Sequence, residues 1–280
     1  MKQRELTRRD LGRAALAAST LGGASAIAAP GVNDNRQRRN YVLVHGTWHG
    51  GWAWVNVAEH LRAAGHRVFT PTCTGCGERK HLITPETGLE THIQDIVNVI
   101  EWEELDEVIL VGHSFAGTTI TGVADRLRSR IRHLVFMDAL IPTETRRAGV
   151  MRDPETGEYP QAWLDRVAKF EDGYKMNFWD SYPAKMVVPE NDSENIAWMK
   201  RRLTWHPMRQ WTDELILENG GWEGLPRTCI HCVGQVYKPS SEAMVGPGRK
   251  PGWDFIELDV ARNGFMTDPQ AVAECFLDIG

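Results

Sequence analysis

Short apolar runs alternate with helix-spaced patterns through the first half of this chain and again near its end. Tyr41-Val-Leu-Val44 reads as a strand buried on both faces, because a half-solvated strand would alternate apolar with polar. Trp52–Ala64 follows as a helix ending before Gly65, and Arg67-Val-Phe-Thr70 is a second strand, stopped by Pro71. Leu89, Ile93, Ile96, Val97 and Ile100 recur at the spacing of one helix face. Val108–Val111 predicts a strand, Ser114–Arg126 a helix and Ile131–Met137 a strand. Cys229–Val233, Asp254–Leu258 and the helix Pro269–Ile279 resume the alternation. Such a sequence builds right-handed βαβ units, so the expected fold is α/β, a mostly parallel sheet with helices on both faces.

From Pro142 to about Arg227 the rhythm stops, and prolines, tryptophans and short helical pieces take over. This is the pattern of a helical cap, at about 142–227, inserted over the carboxyl edge of the sheet. Eleven tryptophans are many for 280 residues, and several fall between Trp163 and Trp222, where they suit an apolar pocket or lid. At 42% hydrophobic residues the chain can bury one sizeable core, so residues 41–280 are expected to form one domain with its cap.

Charge matters chiefly at the start of the chain. The net charge is −5, with no basic stripe beyond the first residues, which leaves no electrostatic footprint for nucleic acid. Thr7-Arg-Arg-Asp-Leu-Gly-Arg13 precedes the Ala-rich run Ala14–Ala29, with Ala24-Ser-Ala26 and Ala26-Ile-Ala28 as cleavage options. Twin arginines, an apolar stretch and A-x-A in that order predict a twin-arginine export signal over 1–29, followed by a polar linker over 30–40. The signal carries five basic and two acidic side chains, so its removal takes the net charge from −5 to −8. No other run approaches the ~20 apolar residues of a membrane span, and the mature protein is expected to be soluble, periplasmic or secreted.

Two loops at the ends of predicted strands carry the candidate chemistry. Gly112-His-Ser-Phe-Ala-Gly117 fits a nucleophile elbow: a sharp strand-to-helix turn that lifts the Ser114 hydroxyl out of the sheet, where small neighbours are needed. The Phe115 N–H at the start of the following helix is then an oxyanion donor. His45-Gly-Thr-Trp-His-Gly-Gly-Trp-Ala-Trp54 directly follows the first strand, and the Thr47 N–H is its natural second donor. His45 and Trp48 are candidate substrate contacts, while a histidine in such a loop is more often a structural hydrogen-bonder than a base.

Val42-Leu-Val-His-Gly-Thr-Trp-His-Gly-Gly-Trp52, Thr74-Gly-Cys-Gly-Glu-Arg-Lys-His-Leu82 and the elbow together resemble the α/β-hydrolase branch of plant methyl-salicylate esterases and hydroxynitrile lyases, with their bacterial esterase relatives. The resemblance covers residues 41–140 well and 228–280 moderately, and the cap is only loosely similar. It implies an α/β-hydrolase fold and a Ser–His–Asp mechanism on small esters or lactones, or on C–C bonds, without metal or cofactor.

Carrying that triad over gives Ser114 as nucleophile. The plant enzymes place their acid after the penultimate strand, but here that stretch is Cys232-Val-Gly-Gln-Val236, which has no carboxylate. Asp138, at the end of Ile131–Met137, is the substitute position used elsewhere in the superfamily. The family's histidine follows the last strand, yet Phe255–Pro269 contains none. Ungapped counting places Arg262 at its position, and a one-residue shift would make it Asn263. Arginine stays protonated in proteins and cannot accept the serine proton. His206, in Leu203-Thr-Trp-His-Pro-Met208 of the cap, is the histidine best placed to approach the serine or its substrate from above.

Cys73-Thr-Gly-Cys76 and Cys229-Ile-His-Cys232 lie on strands too far apart in the expected sheet to share a zinc ion. Cys73 and Cys76 are candidates for oxidation in an exported protein, and Cys229, Cys232 and Cys275 for burial. The reading is therefore a serine hydrolase of small carboxylic esters or lactones lacking its usual base. The alternatives are a non-catalytic ligand-binding homologue, or a lyase in which Arg262 binds a substrate carboxylate.

Overall fold

A computed structural model describes residues 38–144, 146–180, 182–234 and 243–279, and Arg38–Gly280 form one unit. The export-signal reading of 1–29, residues 30–37 of the linker, and Gln235–Val236 lie outside the described residues.

Six strands make the main sheet: β1 (Asn40–Val44), β2 (Arg67–Phe69), β3 (Val108–His113), β4 (Ile131–Met137), β7 (Arg227–Cys232) and β8 (Asp254–Leu258). Their order is β2-β1-β3-β4-β7-β8 and every neighbouring pair is parallel. The intervening β5 (Lys175–Met176) and β6 (His206–Pro207) are a separate antiparallel pair. Because the chain turns to β2 on one side of β1 and returns as β3 on the other, the loops after β1 and β3 flank a topological switch point. In open α/β sheets that is where a crevice opens at the carboxyl ends of the strands.

The continuous apolar strands follow from cover on both faces. Tyr41, Leu43, Ile109, Val111, Val135, Met137 and Ile230 face one core with α1 (Val55–Ala63) and the last helix, Pro269–Leu277. Val42, Val44, Leu110, Leu134, Phe136 and Cys229 alternate to the other core, against α2 (Leu89–Trp102) and α3 (Ala116–Arg126). The predicted helix over Trp52–Ala64 opens instead as a 3₁₀ turn at Gly51–Trp54, and the one over Ser114–Arg126 starts at Ala116, since Ser114 is used in the turn.

Between β4 and β7 the described residues form helices Gln161–Val167, Ser193–Arg202 and Arg209–Thr212 with the β5–β6 pair. This segment is held by aromatic packing. Trp48 from the loop after β1 meets Phe178, Tyr182 and Trp211 edge-on at 5.3–5.7 Å. Asp192 caps Ser193–Arg202 by accepting from the Asn195 N–H at 3.1 Å.

The five cysteines are unpaired thiols. Cys73 and Cys76, the oxidation candidates, are buried, and burial pushes both thiols up. Burial likewise raises Cys229, to about 12. Among the described residues no group of three His, Cys, Asp or Glu side chains is placed to hold a metal ion, and no helix is long and apolar enough to cross a membrane.

Candidate active site

Ser114 stands directly after β3 with φ +58°, a left-handed conformation that a non-glycine residue rarely adopts. The turn is pinned from the next strand: Leu140 N–H donates to Ser114 O at 2.8 Å, and Ser114 N–H to Met137 O at 3.4 Å. Two glycines permit the fit. A Cβ on Gly117 would lie 2.0 Å from Leu140 O, and one on Gly46 would lie 2.9 Å from Ser114 Cβ. The loop after β1 is thereby brought against the elbow, with Trp48 also in left-handed geometry at φ +67°.

Neither Thr47 N–H nor Phe115 N–H donates to a protein acceptor among the described residues, and both residues line the cavity over Ser114. Their surroundings are firmly held. Thr47 Oγ1 accepts from Trp211 Nε1 at 3.0 Å, and the Phe115 ring stacks on Trp211 at 4.1 Å. Gln210 Nε2 donates to Phe115 O at 3.1 Å. Both amides are thus left without a protein acceptor among the described residues, in residues that line the same cavity as Ser114.

Arg262 is 6% exposed and lies between Ser114 and Asp138. Its Nη2 donates to Ser114 Oγ at 2.8 Å, while Nη1 pairs with the Asp138 carboxylate and donates to Asp138 O at 3.2 Å. Among the described residues it is the only side chain hydrogen-bonded to Ser114 Oγ. Asp138 sits just past β4 at φ +45°, with Oδ1 accepting from Cys232 N–H at 3.3 Å and lying 3.9 Å from His231 Nε2. Ser114, Arg262 and Asp138 thus form a chain of side chains, with a guanidinium in the middle. Asn263, the register alternative, turns elsewhere: its Nδ2 donates to His49 Nε2 at 3.2 Å, and its Oδ1 is buried without a partner.

The remaining candidates divide. Trp48 lines the cavity, whereas His45 and His206 stand behind its lining residues. His45 Nδ1 donates to Gly46 O at 2.9 Å and its Nε2 accepts from Cys73 N–H at 3.0 Å, so the ring ties the loop after β1 to the loop after β2. His206 Nδ1 accepts from Trp48 N–H at 3.3 Å and its Nε2 donates to Gln210 Oε1 at 3.2 Å. It therefore braces the loop after β1 and, through Gln210, the elbow. Burial lowers His45 and His49 to about 4 and holds His206 and His113 well below the usual range, so these rings are uncharged at neutral pH.

The cavity holds about 180 Å³. Trp48, Phe178, Tyr182, Val187 and Trp211 make its apolar wall, with Met244 beside Arg262. Arg146, Trp211 and Gln210 were not marked by the sequence. They lie in the inserted segment, where no periodicity shows which side chains turn inward.

The family model described as "Alpha/beta hydrolase family" matches residues 41–275. The chain is 37% identical over 247 residues to a carbendazim hydrolyzing esterase of Nocardioides sp. (strain SG-4G), across 86% of this chain and 99% of that protein. It is 23% identical to Methylesterase 3 of Arabidopsis thaliana, across 89% and 98% of the two. Among solved structures, an extracellular alpha/beta-hydrolase from a Paenibacillus species aligns with TM-score 0.69 at 22% identity, over 86% of this chain and 99% of that one.

Proposed function

This chain belongs to the alpha/beta hydrolase family, and from that premise we propose that it hydrolyses small carboxylic esters or lactones at Ser114, with Arg262 in the place of the triad histidine. The observation that carries the proposal is Ser114 at φ +58° beside the unengaged Thr47 and Phe115 N–H groups, under an apolar wall. Attack by Ser114 Oγ on the ester carbonyl would form a tetrahedral oxyanion for those two amides to hold. The esterase names of two relatives favour this reaction class.

Arg262 changes how the serine is activated. A guanidinium keeps its proton, so it holds Ser114 Oγ as a hydrogen-bond acceptor and takes nothing from it. Its charge does favour a serine alkoxide, as any nearby cation favours an anion. The reaction then depends on hydroxide or water to remove the proton, and the oxyanion hole with substrate positioning supplies the catalysis, about 10³–10⁴-fold over water when a triad member is lost. Asp138 neutralises Arg262 and fixes its plane.

The test is a panel of methyl and ethyl esters of short acids, γ- and δ-lactones, and carbendazim. Slow turnover that disappears in Ser114→Ala is the expected result. The same Arg262–Ser114 clamp favours a second reading, a ligand-binding homologue without turnover. Wild-type rates equal to Ser114→Ala on every compound would establish that reading instead. The extracellular relative accords with export by the 1–29 signal. Replacing Arg8 and Arg9 with Lys is expected to retain the uncut chain in the cytoplasm, and normal processing of that variant would refute the signal.

A further inference from the structure

A second arginine faces the same cavity and is not matched by any acid among the described residues. Arg146 lines the space around Ser114, on the stretch that leads from β4 into the inserted segment. Its Nη1 donates to Ala243 O at 3.0 Å, which leaves most of the guanidinium fork uncommitted. Its Nε is buried and has no hydrogen-bond partner among the described residues. Among the described residues no carboxylate lies within ion-pair distance of it, and burial alone lowers its pKa. Since an arginine cannot shed its proton in a protein, the charge stays.

The cavity's charge balance follows. Arg262 and Asp138 cancel each other. His49 and His113 are neutral, because burial and the nearby Arg262 hold their protonated forms off. Among the described residues that line the pocket, Arg146 is left as a net positive charge facing an aromatic wall, within a chain of net charge −5. A buried donor without a partner is costly to keep unless something pairs with it. A planar fork with free donors recognises one group better than any other, the two oxygens of a carboxylate.

We infer that Arg146 is an anion-recognition residue of this cavity, and that the substrate carries a carboxylate a few bonds from the ester that Ser114 attacks, as in a monoester of a short dicarboxylic acid. Arg262 does not compete for that carboxylate, because its two terminal nitrogens already serve Asp138 and Ser114. The small volume of the cavity sets the scale: a chain of two or three carbons between carboxylate and ester, with the aromatic wall against the carbons. The substrate class rests on the esterase reading, whereas the anion site does not, and the two are separable by experiment.

Monomethyl succinate and methyl levulinate are close in shape and differ in whether the end distal to the ester is a carboxylate or a neutral acetyl group. Their binding to the full chain is read by quenching of tryptophan fluorescence, which Trp48 and Trp211 in the cavity wall make sensitive, with hydrolysis followed separately. The wild type is expected to bind the anionic ester at least about tenfold more tightly, the scale of a partly buried hydrogen bond to a charged group. Arg146→Met should bring the ratio close to one by weakening the anionic ester alone, which loss of a purely structural contact at the Ala243 carbonyl would not do, and Arg146→Lys should restore part of the ratio. Equal binding of both esters by the wild type, or a preference that survives Arg146→Met, overturns the inference. Selective binding of the anionic ester with hydrolysis of neither supports the anion site and refutes the esterase reading. Hydrolysis without selectivity does the reverse.

Discussion

Arg262→His is expected to raise ester hydrolysis by more than about tenfold, because general-base catalysis typically contributes about 10²–10⁴-fold and residue 262 lies between Ser114 and Asp138. In the wild type, Nη2 reaches Ser114 Oγ at 2.8 Å while Nη1 meets the Asp138 carboxylate. An imidazole at 262 would find an acid on one side to fix its tautomer and a hydroxyl on the other to deprotonate. The side chain is shorter than arginine, so the Ala261–Gly264 loop has to move inward, and this keeps the expected gain at the lower end. Asn263→His is the control. Residue 263 points to His49, away from Asp138, and its substitution should gain less. Steady-state rates on a short methyl ester decide the matter. A wild type already as fast as ordinary esterases and slowed by Arg262→His would make the guanidinium a working part of another mechanism.

Asp138→Asn is expected to destabilise the fold by about 3–5 kcal/mol, the cost of leaving a buried charge without its partner. Asp138 is 1% exposed and Arg262 6%, so water cannot take over the ion pair. Asparagine suits the test because it tolerates the left-handed backbone that this position needs at φ +45°. The loss then reports charge rather than strain. Adding Arg262→Met should recover much of the stability, since removing both partners avoids the unpaired charge. Denaturant unfolding of the two single variants and the double variant measures the coupling. A loss below about 1 kcal/mol in Asp138→Asn would mean that the pair is far better solvated than its burial implies.

The sheet was legible in the sequence because both of its faces are covered. Tyr41-Val-Leu-Val44 and Val108–Val111 have no reason to alternate when each neighbour enters a different core. The elbow was legible for a related reason: strand, Gly-x-Ser and helix are contiguous, and local sterics decide where the hydroxyl points. The segment between β4 and β7 was not legible in detail. Its shape comes from contacts such as Trp48 with Phe178 and Phe115 with Trp211, which join positions distant in the chain, and from strands of two residues. His45 and His206 show the same limit. Sequence position put them near the reacting groups, but the direction of each ring is set by which backbone amide claims its nitrogen, Cys73 for one and Trp48 for the other. Arg146 is not legible in the sequence, because an arginine with no acid beside it among the described residues is recognisable only once its surroundings are known.

We propose that Ser114 is an esterase nucleophile whose usual base is replaced by Arg262. The most direct measurement is the pH dependence of Ser114 labelling by a fluorophosphonate, which reads the activation of the hydroxyl without any substrate specificity. For the wild type we predict slow labelling, absent in Ser114→Ala, that keeps rising with pH through about 9 as hydroxide removes the proton. In Arg262→His the rate is predicted to be higher and to level off above about pH 7, where an ordinary imidazole has become neutral. Fast wild-type labelling that levels off near neutral pH would contradict the account, because some other group would then be serving Ser114 as a base.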